Sequence, residues 1–567
     1  MFRRKRRLMK YDIIIVGAGV VGTSIAYRLI SHDVSVLLID KNNDVAMGAT
    51  RANSAIVHAG YDPLPGTLMA RLNVEGNAMY EPLCADLDVP FRRCGSLVLA
   101  FSDAEKALLN ELLDRGLKNG VPNLRILDSE ELRKMEPEVS EEAVAALYAP
   151  TAGIVNPWEF CLAQAEVFVR NGGTFLGNCE VTGIRSSQAK DEKASESSVT
   201  KSSCTADKCE TKPNETVDAS ETDNGGIDVT PIAKSASPRY TLTTTKGDFE
   251  ASCVILACGV NADSVHGLIA QPDFQIVPTR GEYFLLDKSE GSHVDHVIFQ
   301  CPNKFGKGVL VAPTVHGNLI CGPTSEVLKE DIENTATTSS KLAEIKEKAA
   351  RSVQSISWRD NVRNFSGIRA NSTKDDFIIR EIPGNEGIFE AAGIKSPGLV
   401  SSPAIAKYMI ALLIKSGIAL PEKKSGYDLT RKKVHFRDMN NEERAALVKK
   451  DPAYGRIVCR CEGVTEGEIR DALESPIPPM SLDAVKRRAG TGMGRCQGGF
   501  CGPRIVEMLL ADAQIPQAYL SILQDAEGSN LFYPRDAETP DNSAFWKENR
   551  EVSSGKELAG EGSEVES

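Results

Sequence analysis

Four cysteines stand in two close pairs near the C-terminal end of the chain, Cys459 and Cys461 in IVCRCEG, then Cys496 and Cys501 in GRCQGGFCG, giving C-x-C-x34-C-x4-C. Cysteine thiolates at such spacings hold metal. Structural zinc pairs usually run from C-x2-C to C-x4-C on both sides, so the C-x-C half fits zinc poorly, whereas four thiolates suit a [2Fe–2S] cluster. Glycines crowd the later pair, and their amides can approach and donate to cluster sulfurs. A second constellation opens the chain. Gly17, Gly19 and Gly22 form G-x-G-x-x-G between YDIIIVG and a helical pattern, and Asp40 ends the next apolar run, VSVLLID. That spacing gives a tight turn, a bare backbone for a pyrophosphate, a helix N-terminus facing its charge, and an acid for a ribose hydroxyl.

The elements that must carry these groups follow the same order. Strand, glycine loop, helix and strand make one βαβ unit, so the fold class expected is α/β (α+β): a Rossmann-like dinucleotide domain, a sheet-based substrate domain and a small helical C-terminal module. The fingerprint alone does not choose between FAD and NAD. ASCVILACGVNADSV at 251–265 reads as a strand returning to an FAD domain, and no second G-x-G-x-x-G offers a place for NAD(P)H. FAD reduced directly by the substrate is therefore expected.

Composition bounds the rest. With 567 residues, 41% hydrophobic and 25% charged, the chain has the length of several domains. A formal charge of −12 speaks against a nucleic-acid partner. No run of about 18 apolar residues is read as spanning a bilayer. The fourteen cysteines sit mostly singly, so a reducing cytoplasm is expected rather than a disulfide framework. VTGI near 184 and YTLTTT at 240–245 read as the arms of a hairpin, interrupted by a polar insertion over about 185–237 expected to be disordered. The division expected is an oxidoreductase body over 1–420 with interleaved subdomains, a polar connector over 421–455, a cluster module over 456–536 and a disordered acidic tail over 537–567. The opening MFRRKRRLMK is read as an extension rather than a membrane anchor, and His316 in PTVHGNL as part of a hairpin turn.

GATRANSAIVHAGYD at 48–62, RGEYFLL at 280–286, SGIRANSTKDDFIIRE at 366–381 and AAGIKSPGLVSSPAIAKYM at 391–409 resemble segments of the D-amino-acid-oxidase-like FAD superfamily. The likeness is nearest to FAD-dependent glycerol-3-phosphate dehydrogenases and L-2-hydroxyglutarate oxidases. The cysteine block is similar to the bacterioferritin-associated-ferredoxin module that closes the anaerobic large-subunit type of the former. The resemblance implies Ala18, Lys41, Thr50, Asn53, Ser54, Val181, Gly259, Gly393 and Gly398 as further FAD-binding residues. It implies Arg369 as the clamp of a substrate carboxylate or phosphate, His58 as a group orienting the flavin or managing a proton, and Lys395 as a phosphate or flavin contact. The reaction expected is oxidation of a small anionic substrate, foremost glycerol 3-phosphate to dihydroxyacetone phosphate. Electrons would pass from FAD through the cluster to an acceptor protein or partner oxidoreductase subunit, with peripheral membrane association arising only through that partner. A 2-hydroxy acid or amino acid is the alternative substrate, and an electron-transfer protein without an organic substrate the alternative class. One departure stands out: where the anaerobic type reads G-A-T-G-R-N, this chain reads Gly48-Ala49-Thr50-Arg51-Ala52-Asn53, with the arginine moved by one position.

Overall fold

The computed structural model describes residues 9–187, 239–302 and 308–511. Its first strand, Met9–Val16, turns from exposed to fully buried along MKYDIIIV, which places the apolar half at the centre of a sheet. Val36–Ile39 pairs with it in parallel on one side and Gly247–Leu256 on the other, and Thr174–Leu176 and Ile388–Ala392 extend the parallel region outward. Parallel strands buried on both faces need continuous runs of Val, Ile and Leu, and IIIV, VLLI and CVIL supply them.

Among the described residues the second sheet has nine strands. Its long members Ile276–Leu286 and Asn361–Ser372 pair antiparallel, and Val297–Gln300, Ser96–Ala100, Ala145–Ala149 and Arg125–Asp128 continue it on the far side. The mixed α/β body with a small helical C-terminal region matches the expected fold class.

Helix Gly398–Lys415 packs between Val20–Leu29 and Leu68–Asp86. With a mean hydropathy of 1.3 over its 18 residues it is long and apolar enough to cross a membrane, contrary to the expectation that no such run exists. Its apolar side chains are instead core: Val400, Ile405, Met409 and Leu413 are buried, and Tyr80 Oη donates to the Leu399 carbonyl at 2.7 Å. A Cβ on Gly76 would stand 2.1 Å from the Val400 carbonyl oxygen, so glycine lets the two backbones touch.

Val181–Ser186 and Tyr240–Thr244 form the expected antiparallel pair, and the Ser187 N–H donates to the Arg239 carbonyl at 2.7 Å. The hairpin arms are thus in register at the point where the insertion leaves; the insertion itself, the first eight residues and the acidic tail lie outside the described residues. Deleting 188–238 and closing the arms with Asn-Gly is expected to leave flavin content and turnover within about twofold of the parent, because a two-residue turn suits this pairing. A collapse in soluble yield would show that the insertion is needed by the body.

Segment 421–455 lies along the nucleotide domain. Tyr27 Oη donates to the Leu429 carbonyl at 2.9 Å, and Arg431 pairs with Glu166 at 2.9 Å. In the C-terminal module Thr465 and Glu468 form a capping box that starts helix Glu466–Leu473, and Gly490, at φ 76°, stops helix Leu482–Ala489.

Candidate functional site

The nucleotide loop is fixed by contacts that only glycine permits. A Cβ on Gly22 would lie 1.9 Å from the Gly17 carbonyl oxygen, and one on Gly17 2.3 Å from that of Ala257. Gly19 differs: its Cβ would meet only Thr50 Oγ1, at 3.4 Å, and that of Gly259 would meet nothing within 4 Å. Two glycines are therefore closed against the protein, and two present bare backbone beside the N-terminus of helix Val20–Leu29. This surface fits a dinucleotide pyrophosphate.

Asp40 binds the loop itself. Its Oδ2 accepts from the Ala18 N–H at 2.8 Å, and its Oδ1 accepts from the Asn42 backbone and side-chain amides at 2.8 and 2.9 Å. Burial pushes its carboxyl above the usual range, and these donors work against that. Lys41 is ion-paired with Glu333. Thr50 Oγ1 accepts from the Val20 N–H at 3.0 Å, which ties the 48–53 segment to the helix start. Asn53 clamps that segment by donating to the Ala49 and Thr50 carbonyls and accepting from the Ala55 N–H, and half-buried Ser54 follows it. Val181 packs in the apolar cluster of Val16, Ile39 and Leu256, behind the Asp40 end of the sheet.

Three further expected residues sit where the two sheets meet. Gly393 and Gly398 frame Lys395, whose carbonyl accepts from the Gly398 N–H at 2.6 Å as helix Gly398–Lys415 begins. Ser396 Oγ lies 3.4 Å from His58 Nε2, so His58 and the Lys395 loop are neighbours. The carbonyl of His58 accepts from both Asn73 and Asn77, at 2.8 and 3.0 Å, and its ring stacks on Phe299 with centroids 5.8 Å apart. A small depression opens there, lined by His58, Gly60, Tyr61, Asp62, Pro63, Asn73 and Pro397. Arg369 lies on strand Asn361–Ser372, and its side-chain hydrogen bond among the described residues runs to the Thr324 carbonyl at 3.3 Å. A Cβ on Gly281 would stand 2.6 Å from its Nη2, so the neighbouring strand leaves space for the guanidinium. Two residues earlier, Gly367 approaches Ala52 so closely that a Cβ would sit 1.8 Å from the Ala52 carbonyl oxygen. Sequence reasoning singled out neither Gly367 nor the Asn73, Asn77 and Phe299 supports of His58; the apolar helix and strand patterns around them carry no chemical signature.

The four cysteines form two pairs. Cys461 and Cys496 have their sulfurs 3.7 Å apart, near the about 3.8 Å expected for two thiolates about 2.3 Å from one tetrahedral metal. Cys459 and Cys501 face each other, a contact that leads in holding the Cys459 thiol below its usual range, and the Gly492 amide lies against both sulfurs. The amides of Phe500, Gly498 and Gly499 donate to Cys496. Among the described residues no three His, Cys, Asp or Glu side chains are placed to hold a single ion. Two pairs with two thiolates each fit a two-iron cluster, with one pair for each iron. The Cys459 and Cys501 pair is buried, while Cys461 is exposed. A Cβ on Gly494 would come within 2.3 Å of Cys461 Cβ, so the loop can close only with glycine there.

Family comparison agrees with both halves. The FAD-dependent oxidoreductase family of the D-amino-acid oxidase type matches residues 12–209 and 204–412, and a BFD-like [2Fe–2S] binding domain matches 457–511. The chain belongs to this family of FAD-dependent oxidoreductases, and its cofactors are FAD and a [2Fe–2S] cluster. Among particular proteins, the glycerol 3-phosphate dehydrogenase of Caloramator mitchellensis is 43% identical over 525 residues, covering 92% of this chain and 98% of the relative. The human mitochondrial L-2-hydroxyglutarate dehydrogenase is 30% identical over 57% of this chain and 62% of its own. The FAD-bound L-α-glycerophosphate oxidase of Mycoplasma pneumoniae superposes with a TM-score of 0.63 at 26% identity, covering 75% of this chain and 99% of that one.

Proposed function

We propose that this enzyme oxidises glycerol 3-phosphate to dihydroxyacetone phosphate and passes the electrons through the [2Fe–2S] cluster to an external acceptor. The observation that carries the reading is the 43% identity to the Caloramator dehydrogenase across 98% of that protein, which spans the cysteine module as well as the flavin body.

Bound FAD supplies a hydride acceptor for the carbinol carbon. The chain's own residues bind and orient the substrate and handle its proton. Arg369 presents a planar fork to the phosphate, steadied by the Thr324 carbonyl and given room by Gly281. Lys395, whose ammonium meets no carboxylate among the described residues, supplies a second positive charge. His58, fixed through its carbonyl by Asn73 and Asn77 and stacked on Phe299, takes up the hydroxyl proton. FAD is held by the loop of Gly17, Ala18, Gly19 and Gly22 with Asp40, by the Thr50 to Ser54 segment, and by Gly259, Gly393 and Gly398. The acceptor is a one-electron protein or a partner oxidoreductase subunit, and any membrane association runs through that partner. Thiols left free in the core, such as Cys84, Cys161, Cys253 and Cys321, support placing the protein in the cytoplasm.

Anaerobic titration with glycerol 3-phosphate is expected to bleach the flavin stoichiometrically, in protein that carries two irons and two labile sulfides per chain. The likeness to L-2-hydroxyglutarate dehydrogenases makes that hydroxy acid the second substrate to titrate. Bleaching by it alone would replace the first reading. Bleaching by neither anion would point to an electron-transfer protein, and zinc without sulfide would remove the cluster.

A further inference from the structure

Four residues beyond Asp40, at the end of the nucleotide fingerprint, Asp44 is 3% exposed and is gripped by two arginines of the C-terminal module. Arg488 donates to both of its oxygens, at 2.8 and 2.9 Å, and Arg487 to one of them at 2.6 Å. Both arginines are buried on helix Leu482–Ala489, and each is held from behind: Arg487 by Asp483 at 2.6 Å, Arg488 by the Ile477 carbonyl at 2.9 Å. Lys433 adds a strut by donating to the Arg488 carbonyl at 2.7 Å and to Glu159 at 2.8 Å. A second latch joins the cluster loops to the second sheet, at the end of strand Ile276–Leu286 and the start of strand Asn361–Ser372. Glu462, next to Cys461, pairs with Lys288 at 2.7 Å, and Arg495, next to Cys496, pairs with Asp360 at 2.8 Å and with Asp287.

The displaced arginine of the 48–53 segment belongs to the same seam. Burial pushes the Asp483 carboxyl up, but Lys486, Arg487 and Arg51 together hold it below the usual carboxylate range. Arg51 is thus one of the charges that favour the ionised Asp483. A carboxylate shared by two buried guanidinium groups is costly to separate, because each arginine would be left in a dry site without its counter-charge. Such a contact fixes one pose rather than tethering a mobile arm.

We propose that Asp44 is a positioning residue for electron transfer: through Arg487 and Arg488 it holds the [2Fe–2S] module in one fixed pose against the flavin domain. The inference rests on the FAD-to-cluster route proposed above. Hydride transfer leaves two electrons on the flavin. They depart singly, each reducing the oxidised cluster by one electron, and an external one-electron acceptor reoxidises the cluster before the second follows, with the protons released to water. Electron transfer falls steeply with separation, so a module that drifts from the seam slows this step and leaves hydride transfer untouched.

The test is Asp44→Asn in the holoenzyme, which keeps the shape of the side chain and removes its charge. Flavin and cluster absorbance and the rate of anaerobic flavin bleaching by glycerol 3-phosphate are expected to stay at parent values. Single-turnover reduction of the cluster, followed by its own absorbance and paramagnetic signal, is expected to slow by about tenfold or more. Hydrogen exchange across Leu482–Ala489 is expected to rise. Cluster reduction at the parent rate, with both cofactors present, would overturn the proposal. Should Asp44→Asn lose flavin, Arg488→Gln on the module side decides by the same two measurements. If glycerol 3-phosphate fails to bleach even the parent flavin, the substrate reading falls, and photoreduction of the flavin still reports whether the seam governs cluster reduction.

Discussion

Gly19→Val is expected to give a folded protein that emerges without flavin. Gly19 is the member of the G-x-G-x-x-G triplet whose missing side chain leaves open space rather than a contact with the protein: a Cβ there meets only Thr50 Oγ1, at 3.4 Å. The branched side chain would fill the approach of the pyrophosphate and weaken FAD binding by about a hundredfold or more, equivalent to roughly 2.7 kcal/mol. The contrast with Gly22→Ala sharpens the result. There a single methyl collides with the Gly17 carbonyl at 1.9 Å, so the helix must shift from the loop and thermal stability should fall together with flavin content. Flavin retained by Gly19→Val at parent affinity would remove the cofactor from this loop.

Arg369→Lys is expected to raise the substrate requirement by roughly ten- to a hundredfold while FAD and iron contents stay unchanged. Lysine keeps the charge but loses the planar fork, and a charge-assisted hydrogen bond contributes about 1.5–3 kcal/mol. The rate of anaerobic flavin bleaching against glycerol 3-phosphate concentration measures this without interference from the acceptor. Equal bleaching by parent and variant at low substrate would show that another group, with Lys395 the first to examine, holds the anion.

What could be read from the chain alone was whatever is encoded by near neighbours. The glycine loop, Asp40 and the alternation of strand and helix lie within about thirty residues of one another, and backbone sterics demand those residue types at those spacings. The C-x-C and C-x4-C spacings are legible for the same reason, but the fold pairs the thiols across the two halves, Cys461 with Cys496 and Cys459 with Cys501. Asp40 shows the limit of such reading: its type and place are set by the βαβ unit, but in the fold its oxygens hold the Ala18 and Asn42 amides. Contacts between distant segments left no such mark. Asp44 meets arginines more than four hundred residues away, and nothing in KNNDVAMG distinguishes it from a solvated loop acid. Polarity likewise suggested a link over 421–455, and only the fold shows Arg431 and Lys433 spent on Glu166 and Glu159. Helix Gly398–Lys415 carries two polar serines and a proline in its first half, which breaks the apolar run on paper, although Ser401, Ser402 and Pro403 are all buried.

The order of strands in the first sheet has a consequence for how the protein is made. Met9–Val16 and Val36–Ile39 leave the ribosome first, but their neighbours Thr174–Leu176, Gly247–Leu256 and Ile388–Ala392 follow over the next several hundred residues. The inner strand cannot be covered on both sides until residue 256 has emerged, and the helix that begins at Gly398 beside His58 comes later still. Closing such long loops costs entropy before any packing repays it, so the nascent chain carries an apolar βαβ unit with an open sheet edge until residue 256 has emerged. Flavin capture is consequently a late event. The cysteine module emerges only after the surface that Asp44 offers it has formed, so vectorial synthesis builds the dock before the part that lands on it.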